Sequence, residues 1–246
     1  MESPPVKPRV VLFDVYGTLL EVGPPPPDAE LRWRGCYRDR FGREPRLNRL
    51  EFTIACQRAI VRDHEAAQAL GIRWPEVQWP AIVAEVIPEL TRLSREERDE
   101  FLYEQIQTGR TVRLAPGAAE ILRWLREQGL LLGVISNAQA YTVRELREAL
   151  DAEGLAMSLF ESGLCFWSFE HGFSKPDPHV FRVLAARLQS AGVCPSGVVM
   201  VGDRRDNDTG PAERFGWRTW LMGPPAGGDW LGFRVWLSSG LSVCGV

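Results

Sequence analysis

The stretch VVLFDVYGTL, residues 10–19, decides how the chain folds. Four apolar residues, Val10, Val11, Leu12 and Phe13, run without interruption into Asp14. An apolar run this short, rich in β-branched side chains, suits a parallel strand buried on both faces. The polar residues come at its C-terminal mouth, where open α/β sheets place their ligands. An Asp held there is positioned for nucleophilic attack, and Gly17 lets the backbone turn close to an anionic ligand. Taken alone, Asp14, Gly17 and Thr18 form a short pattern that composition can produce by chance, so its weight depends on what the rest of the chain supplies.

Downstream, the succeeding run from Leu19 to Val22 meets Gly23 and four prolines, Pro24 to Pro27, that continue neither a helix nor a sheet ladder, so the chain leaves its first unit there. From Asp28 to about Val112 the apolar residues recur at helical spacing, punctuated by Gly42, Pro45, Gly71, Pro75 and Pro88. This predicts a helical insert of four or more helices over residues 24–112, with core segments at 1–23 and 113–246. Strand and helix patterns then alternate. Helices are expected over Ala118–Gln128, Tyr141–Leu150 and Pro178–Ser190, with a further helix start at Gly210–Phe215. Strands are expected over Leu130–Ile135, Gly163–Phe166, Val198–Val201 and Arg218–Met222, and Phe233–Leu237 reads as a last edge strand. The alternation implies an α/β fold: a doubly wound, Rossmann-like parallel sheet with an inserted α-helical cap domain.

Three further motifs fall just beyond predicted strands. Ser136 and Asn137 can present a hydroxyl and amides to phosphoryl oxygens. Ser174-Lys175-Pro176-Asp177-Pro178 sets an ammonium near a helix start between two prolines. Gly202-Asp203-Arg204-Arg205-Asp206-Asn207-Asp208 gathers carboxylates at another strand end, and Asp203 and Asp208 can join Asp14 around a hard cation that prefers oxygen. Asp206 reads as a cap for the helix that follows.

Composition narrows the field. The 246 residues exceed the usual single-domain size, and 45% hydrophobic with 25% charged residues allows a substantial core. A net charge of -3 provides no basic field for nucleic acid. Arg32, Arg34, Arg38, Arg40 and Arg43 read as one solvated helix face. The five cysteines, Cys36, Cys56, Cys165, Cys194 and Cys244, show no paired spacing for zinc or redox chemistry and read as reduced thiols. The opening residues lack the apolar core of a signal peptide, and no stretch reaches the roughly 18 apolar residues of a spanning helix, so a cytoplasmic location away from membranes is expected. His64 and His179 read as solvated or packed, and His171 as a weak site candidate. Trp33, Tyr37, Trp74 and Trp79 are expected to build the core of the insert. Oligomeric state is not readable.

DVYGTL, the strand ending in Ser136-Asn137, SKPDP and VGDRRDND stand in the order and spacing of four signature motifs, and the chain resembles the haloacid dehalogenase-like superfamily. That resemblance implies Asp14 as nucleophile toward a small phosphorylated substrate, an aspartyl-phosphate, and its hydrolysis by water. It implies Mg²⁺ held by Asp14, the Tyr16 carbonyl and Asp203, with Asp208 acting through water or by orienting Lys175. Thr18, Ser136 and Asn137 would bind the transferring group, and Lys175 would offset its charge. Phosphatases of the superfamily carry a second Asp two residues after the nucleophile as acid and base. Here that residue is Tyr16, a phenol of ordinary pKa about 10 that donates a proton but is a poor base.

Tyr at this place resembles the metal-independent 2-haloacid dehalogenases, which form the alternative, although their last motif, S-S-N-x-x-D, differs from Gly202–Asp208 here. A binding protein that keeps the fold without turnover is a third reading, weighed against by intact Asp14, Lys175 and Asp203. The chain is also similar to the subgroup of haloacid dehalogenase-like hydrolase domain-containing protein 3, which likewise lacks the second Asp. The shared pattern covers Gly202, Asp203, Asp208 and Gly210-Pro211, with one residue fewer before Gly210.

Overall fold

The computed structural model describes residues 7–224 and 227–241, the last two by backbone only. The opening residues, Pro225 and Cys244 lie outside the described residues, so the readings made on them are not addressed by the structure.

Strand β1 (Val10–Phe13) is the centre of the sheet. It pairs in parallel with β4 (Leu131–Ser136) on one side and β6 (Val198–Gly202) on the other, in registers Val10↔Leu131 and Val10↔Val198. With β5 (Cys165–Trp167) beyond β4 and β7 (Arg218–Leu221) beyond β6, the order is β5-β4-β1-β6-β7, all parallel. Side chains alternate between two fully covered faces, as a two-residue repeat requires. Val11, Phe13, Leu132, Val134, Val199 and Val201 meet α5 (Ala118–Glu127), α6 (Ala140–Ala152) and α10 (Trp230–Leu241) on one face. On the other, Val10, Leu12, Val198 and Met200 meet α8 (Pro178–Ser190) through Val180, Phe181, Leu184 and Leu188. The short helices α7 (Ser168–His171) and α9 (Gly210–Glu213) follow β5 and β6.

The doubly wound parallel sheet expected from the sequence is therefore present. One element differs. Phe233–Leu237, expected as an edge strand, lies within α10, because Trp230, Phe233 and Leu237 bury one helical stripe. A short apolar segment is ambiguous between the two periods until its partners are known.

Residues between β2 (Leu20–Gly23) and β3 (Thr111–Leu114) form α1 (Ala29–Phe41), α2 (Arg49–Ala69), α3 (Trp79–Val86) and α4 (Arg95–Gln107). These helices share a core of Trp33, Tyr37, Phe52, Ile82, Leu90 and Phe101, with Trp33 stacked on Phe52 at 4.7 Å. Asn48 with Glu51 and Ser94 with Glu97 form capping boxes that start α2 and α4. Trp79 packs partly against this core, whereas Trp74 lies outside it, under the Arg73 guanidinium. Arg32, Arg34 and Arg38 pair with acids at the surface, as a solvated face would. Cys36, Cys56, Cys165 and Cys194 are free thiols.

The chain leaves and re-enters the sheet domain through an antiparallel ribbon, Leu20↔Leu114 to Gly23↔Thr111. A division between residues 112 and 113 thus cuts β3, a half-exposed four-residue strand whose sequence carries little apolar signal. The insert also touches the sheet domain at a second place. Pro75 bridges Phe173, Ser174 N–H donates to Trp74 O (3.1 Å), and Glu76 N–H donates to Gly172 O (3.1 Å). Among the described residues, no helix is long and apolar enough to cross a membrane.

Candidate active site

Asp14 leaves β1 while its N–H still donates to Val201 O at 2.9 Å, so the central ladder fixes its backbone. The turn that follows needs Gly17. Its φ is +77°, and a Cβ there would lie 2.7 Å from Asp203 Cγ. At the end of β6 a Cβ on Gly202 would lie 2.6 Å from Asp208 Cγ. Two glycines therefore let three strand-end carboxylates converge. Oxygens of Asp14, Asp203 and Asp208 lie within 4.8 Å of one another.

Lys175 reaches this cluster from the loop before α8. Its buried Nζ donates to Asp14 Oδ1 (2.6 Å) and Asp208 Oδ1 (2.5 Å), and Asp208 Oδ2 accepts from Arg204 N–H (3.0 Å). Burial pushes the Asp14 carboxyl up to about 6, with Lys175 opposing and Asp208 adding to the rise. Asp203 is likewise raised, first by burial and then by Asp208. Burial works against the Lys175 charge, but Asp14 and Asp208 outweigh it and hold the ammonium above its ordinary value. One ammonium faces three carboxylates, two of them buried and Asp203 half-buried, so negative charge is in excess. That donor set is all oxygen and fits a hard divalent cation.

Thr18 and Ser136 are each about 1% exposed, and their hydroxyls have no hydrogen-bond partner in the protein. Buried hydroxyls are seldom left so. Thr18 lies in the turn after β1 and Ser136 is the last residue of β4, so both stand at the mouth of the central strand pair, where an anion with several acceptor oxygens would satisfy them. The Asn137 side chain is engaged within the protein. Its Oδ1 accepts from Lys175 N–H (2.6 Å) and its Nδ2 donates to Lys175 O (3.0 Å), so its side chain holds the lysine's backbone.

Tyr16 also departs from a free proton donor. Its hydroxyl donates to Glu145 Oε2 (2.5 Å), accepts from Arg110 Nη2 (2.7 Å) and lies 3.0 Å from Thr142 Oγ1. Burial, and then Glu145 against the opposing Arg110, hold its proton more firmly than in a free phenol. The carboxylate of Glu145, 1% exposed, also accepts from Arg110 and Gln107. Asp206, expected as a helix cap, instead pairs with Arg204 at the surface (2.7 Å). His171 stacks on Phe166 at 4.1 Å, and burial lowers its pKa, which makes it a packing residue.

Arg110, Glu145 and Glu76 were not singled out from the sequence. Glu145 had a signal, since Thr142, Glu145 and Leu146 share the buried side of α6. Arg110 and Glu76 had none, because each finds its partners across tens of residues.

A model of haloacid dehalogenase-like hydrolases matches residues 8–216. A curated relative, haloacid dehalogenase-like hydrolase domain-containing protein 3 of Bos taurus, is 30% identical over 126 residues, 51% of this chain and 46% of its own length. The match thus spans about half the relative. The fold is similar to that of a 2-haloacid dehalogenase from Pseudomonas syringae pv. Tomato DC3000, with TM-score 0.55, 21% identity, and 90% and 89% of the two chains covered. It is equally similar to a family enzyme from Bacteroides thetaiotaomicron, solved with magnesium and inorganic phosphate, with TM-score 0.55, 17% identity, and 92% and 98% covered. At such identities the likeness to solved structures is one of fold.

Proposed function

The chain belongs to the haloacid dehalogenase-like hydrolase family, and from that premise we propose that it is a Mg²⁺-dependent phosphatase acting on a small phosphate ester. The observation that carries this reading is the cluster of Asp14, Asp203 and Asp208 around the single ammonium of Lys175. Two buried carboxylates and the half-buried Asp203 repel one another and any anionic substrate unless a cation joins them. Asp203 is the member of the cluster that the S-S-N-x-x-D motif of the metal-independent dehalogenases lacks.

In this reading Asp14, the Tyr16 carbonyl and Asp203 would hold Mg²⁺, with Asp208 behind them. The cation supplies charge neutralisation and Lewis acidity at the phosphoryl oxygens. The Thr18 and Ser136 hydroxyls donate to two of those oxygens and orient phosphorus in line with Asp14. Lys175, fixed by Asn137 and Asp208, offsets the charge of Asp14 as the phosphoryl group approaches. An Asp14 oxygen bonds phosphorus as the ester P–O bond breaks, and water then cleaves the aspartyl-phosphate to restore the carboxylate. Helices α1–α4 act as a cap that excludes water.

Tyr16 is the feature that favours dehalogenation as a second reading. A panel of phosphate esters alongside L-2-chloropropionate, each with Mg²⁺ and with chelator, separates the two. Phosphate release that chelator abolishes is expected, whereas chelator-insensitive halide release would replace this reading with the other. The family-fold binding protein without turnover is the outcome if ligands bind and neither product forms.

A further inference from the structure

Glu145 is a buried carboxylate that the proposed reaction does not use. Among the described residues the other buried acids are Asp14 and Asp208, and both belong to the site. Glu145 stands on α6, and its partners come from the insert and its return. Arg110 grips it with two nitrogens, Nε on Oε1 (3.0 Å) and Nη2 on Oε2 (2.5 Å), and Gln107 Nε2 donates to Oε1 (2.6 Å). The Arg110 and Glu145 side chains are 18% and 1% exposed. A buried ion pair seldom adds stability over apolar residues of similar volume, so this one calls for a role other than cohesion.

The pair closes on Tyr16. Arg110 Nη2 also donates to the Tyr16 hydroxyl (2.7 Å), which donates in turn to Glu145 Oε2 (2.5 Å). The guanidinium covers the Tyr16 ring at 4.9 Å and the Tyr141 ring at 5.2 Å. Tyr16 is thus tied twice to the ribbon that carries the insert. On the backbone side, Gly17 N–H donates to Leu20 O and Leu20 N–H donates to Val15 O, both at 2.8 Å. The first residue of β2 therefore holds the peptide unit to which the Tyr16 carbonyl belongs. On the side-chain side, Arg110 is the residue immediately before β3. Gly17, at φ +77°, gives the turn little preference of its own for one form, so outside contacts select it. A guanidinium fork on a carboxylate sets direction as well as distance.

We propose that Arg110 and Glu145 are positioning residues for the turn from Asp14 to Thr18. Acting through the Tyr16 side chain, they hold the turn in the form that presents the Asp14 carboxylate, the Tyr16 carbonyl and the Thr18 hydroxyl together. The proposal rests on the Mg²⁺ reading above. It makes affinity for the cation depend on two side chains outside the carboxylate cluster, one before β3 and one on α6. Because the guanidinium also covers the ring face, loss of the Tyr16 hydroxyl alone leaves part of this hold in place.

The test is Mg²⁺ affinity by calorimetry for the full chain and two variants, with near-ultraviolet circular dichroism and the urea midpoint measured alongside. Arg110→Ala combined with Glu145→Ala removes both charges together, so no buried carboxylate is left unpaired, and it frees the Tyr16 ring. Arg110→Lys keeps the charge opposite Glu145 but loses the fork and the flat cover over the ring. The paired variant should bind Mg²⁺ about tenfold or more weakly, and Arg110→Lys should fall between it and the wild type. A role in stability alone would move the urea midpoint and leave the affinity of the folded protein where it was. Wild-type Mg²⁺ affinity in the paired variant, whatever its stability, would overturn the proposal while leaving the phosphatase reading intact. Should that variant not fold, wild-type affinity in Arg110→Lys would do the same. No Mg²⁺ binding by the wild-type chain would remove both.

Discussion

At the scale of single residues, the site is organised by how few partners each group has. Lys175 compensates Asp14 and Asp208 from a position about 3% exposed. Its replacement by Met therefore leaves buried charge behind, and Lys175→Met should cost about 3 kcal/mol or more in urea unfolding without metal, together with nearly all turnover. Recovery of part of that stability by added Mg²⁺ is expected, because a dication supplies the missing positive charge; no recovery would argue against a cation site there. Asp14→Asn removes the nucleophile and should reduce phosphate release to background while ligands still bind by calorimetry. Tyr16→Phe makes the opposite test. It keeps the backbone carbonyl and deletes a hydroxyl already bonded to Glu145, so turnover should change little while stability drops by about 1–2 kcal/mol. A large fall in kcat with unaltered stability would instead make the phenol a participant. The contrast shows what a sequence can carry. Asp14, Lys175, Asp203 and Asp208 were legible as strand-end motifs and are brought together. The side-chain partners of Asn137 and Tyr16 were not, because Lys175, Arg110 and Glu145 are brought to them only by the tertiary fold.

At the scale of elements, β1, β4 and β6 were readable because each carries a short apolar run that ends in a polar motif, with both faces covered. Legibility fell where that contrast was weak. β3 has polar residues at alternate positions, and α10 offers an apolar cluster compatible with either period. The turn after β1 is where element geometry bears most directly on chemistry. Gly17 has φ +77° and leaves room for the Asp203 carboxylate, so Gly17→Ala meets two penalties, backbone strain and displacement of a carboxylate. Mg²⁺ affinity measured by calorimetry should weaken at least about tenfold, one decade per 1.4 kcal/mol lost. Thermal stability should fall as well, by an amount consistent with about 1–3 kcal/mol of local strain. Unchanged Mg²⁺ affinity in a folded Gly17→Ala protein would place the cation elsewhere.

At the scale of the whole molecule, the insert is joined to the sheet domain covalently through the β2–β3 ribbon and non-covalently beside Lys175. The second junction turns on Glu76. Its carboxylate accepts from Ser174 Oγ (2.7 Å) and from Gln139 Nε2 (2.9 Å), while its N–H donates to Gly172 O. It thereby ties the α2–α3 loop both to the segment that carries Lys175 and to Gln139, three residues beyond the Ser136 strand end. Gln139 Nε2 donates as well to Val77 O (2.8 Å), so removing the carboxylate loosens the junction without dissolving it. Helices α4 and α6 keep a further set of contacts across the same seam, Arg144 with Glu100 and Gln107 with Glu145. Glu76→Ala should therefore leave the global unfolding midpoint nearly unchanged but speed amide exchange at Gly172, Phe173 and Ser174 together with the Trp74–Val77 loop. Because the loss falls on closure rather than on Asp14, KM should rise more than kcat falls. Faster exchange confined to the loop, with kinetics unmoved, would mean that the insert closes without this contact and that the ribbon at Leu20–Gly23 sets its position instead.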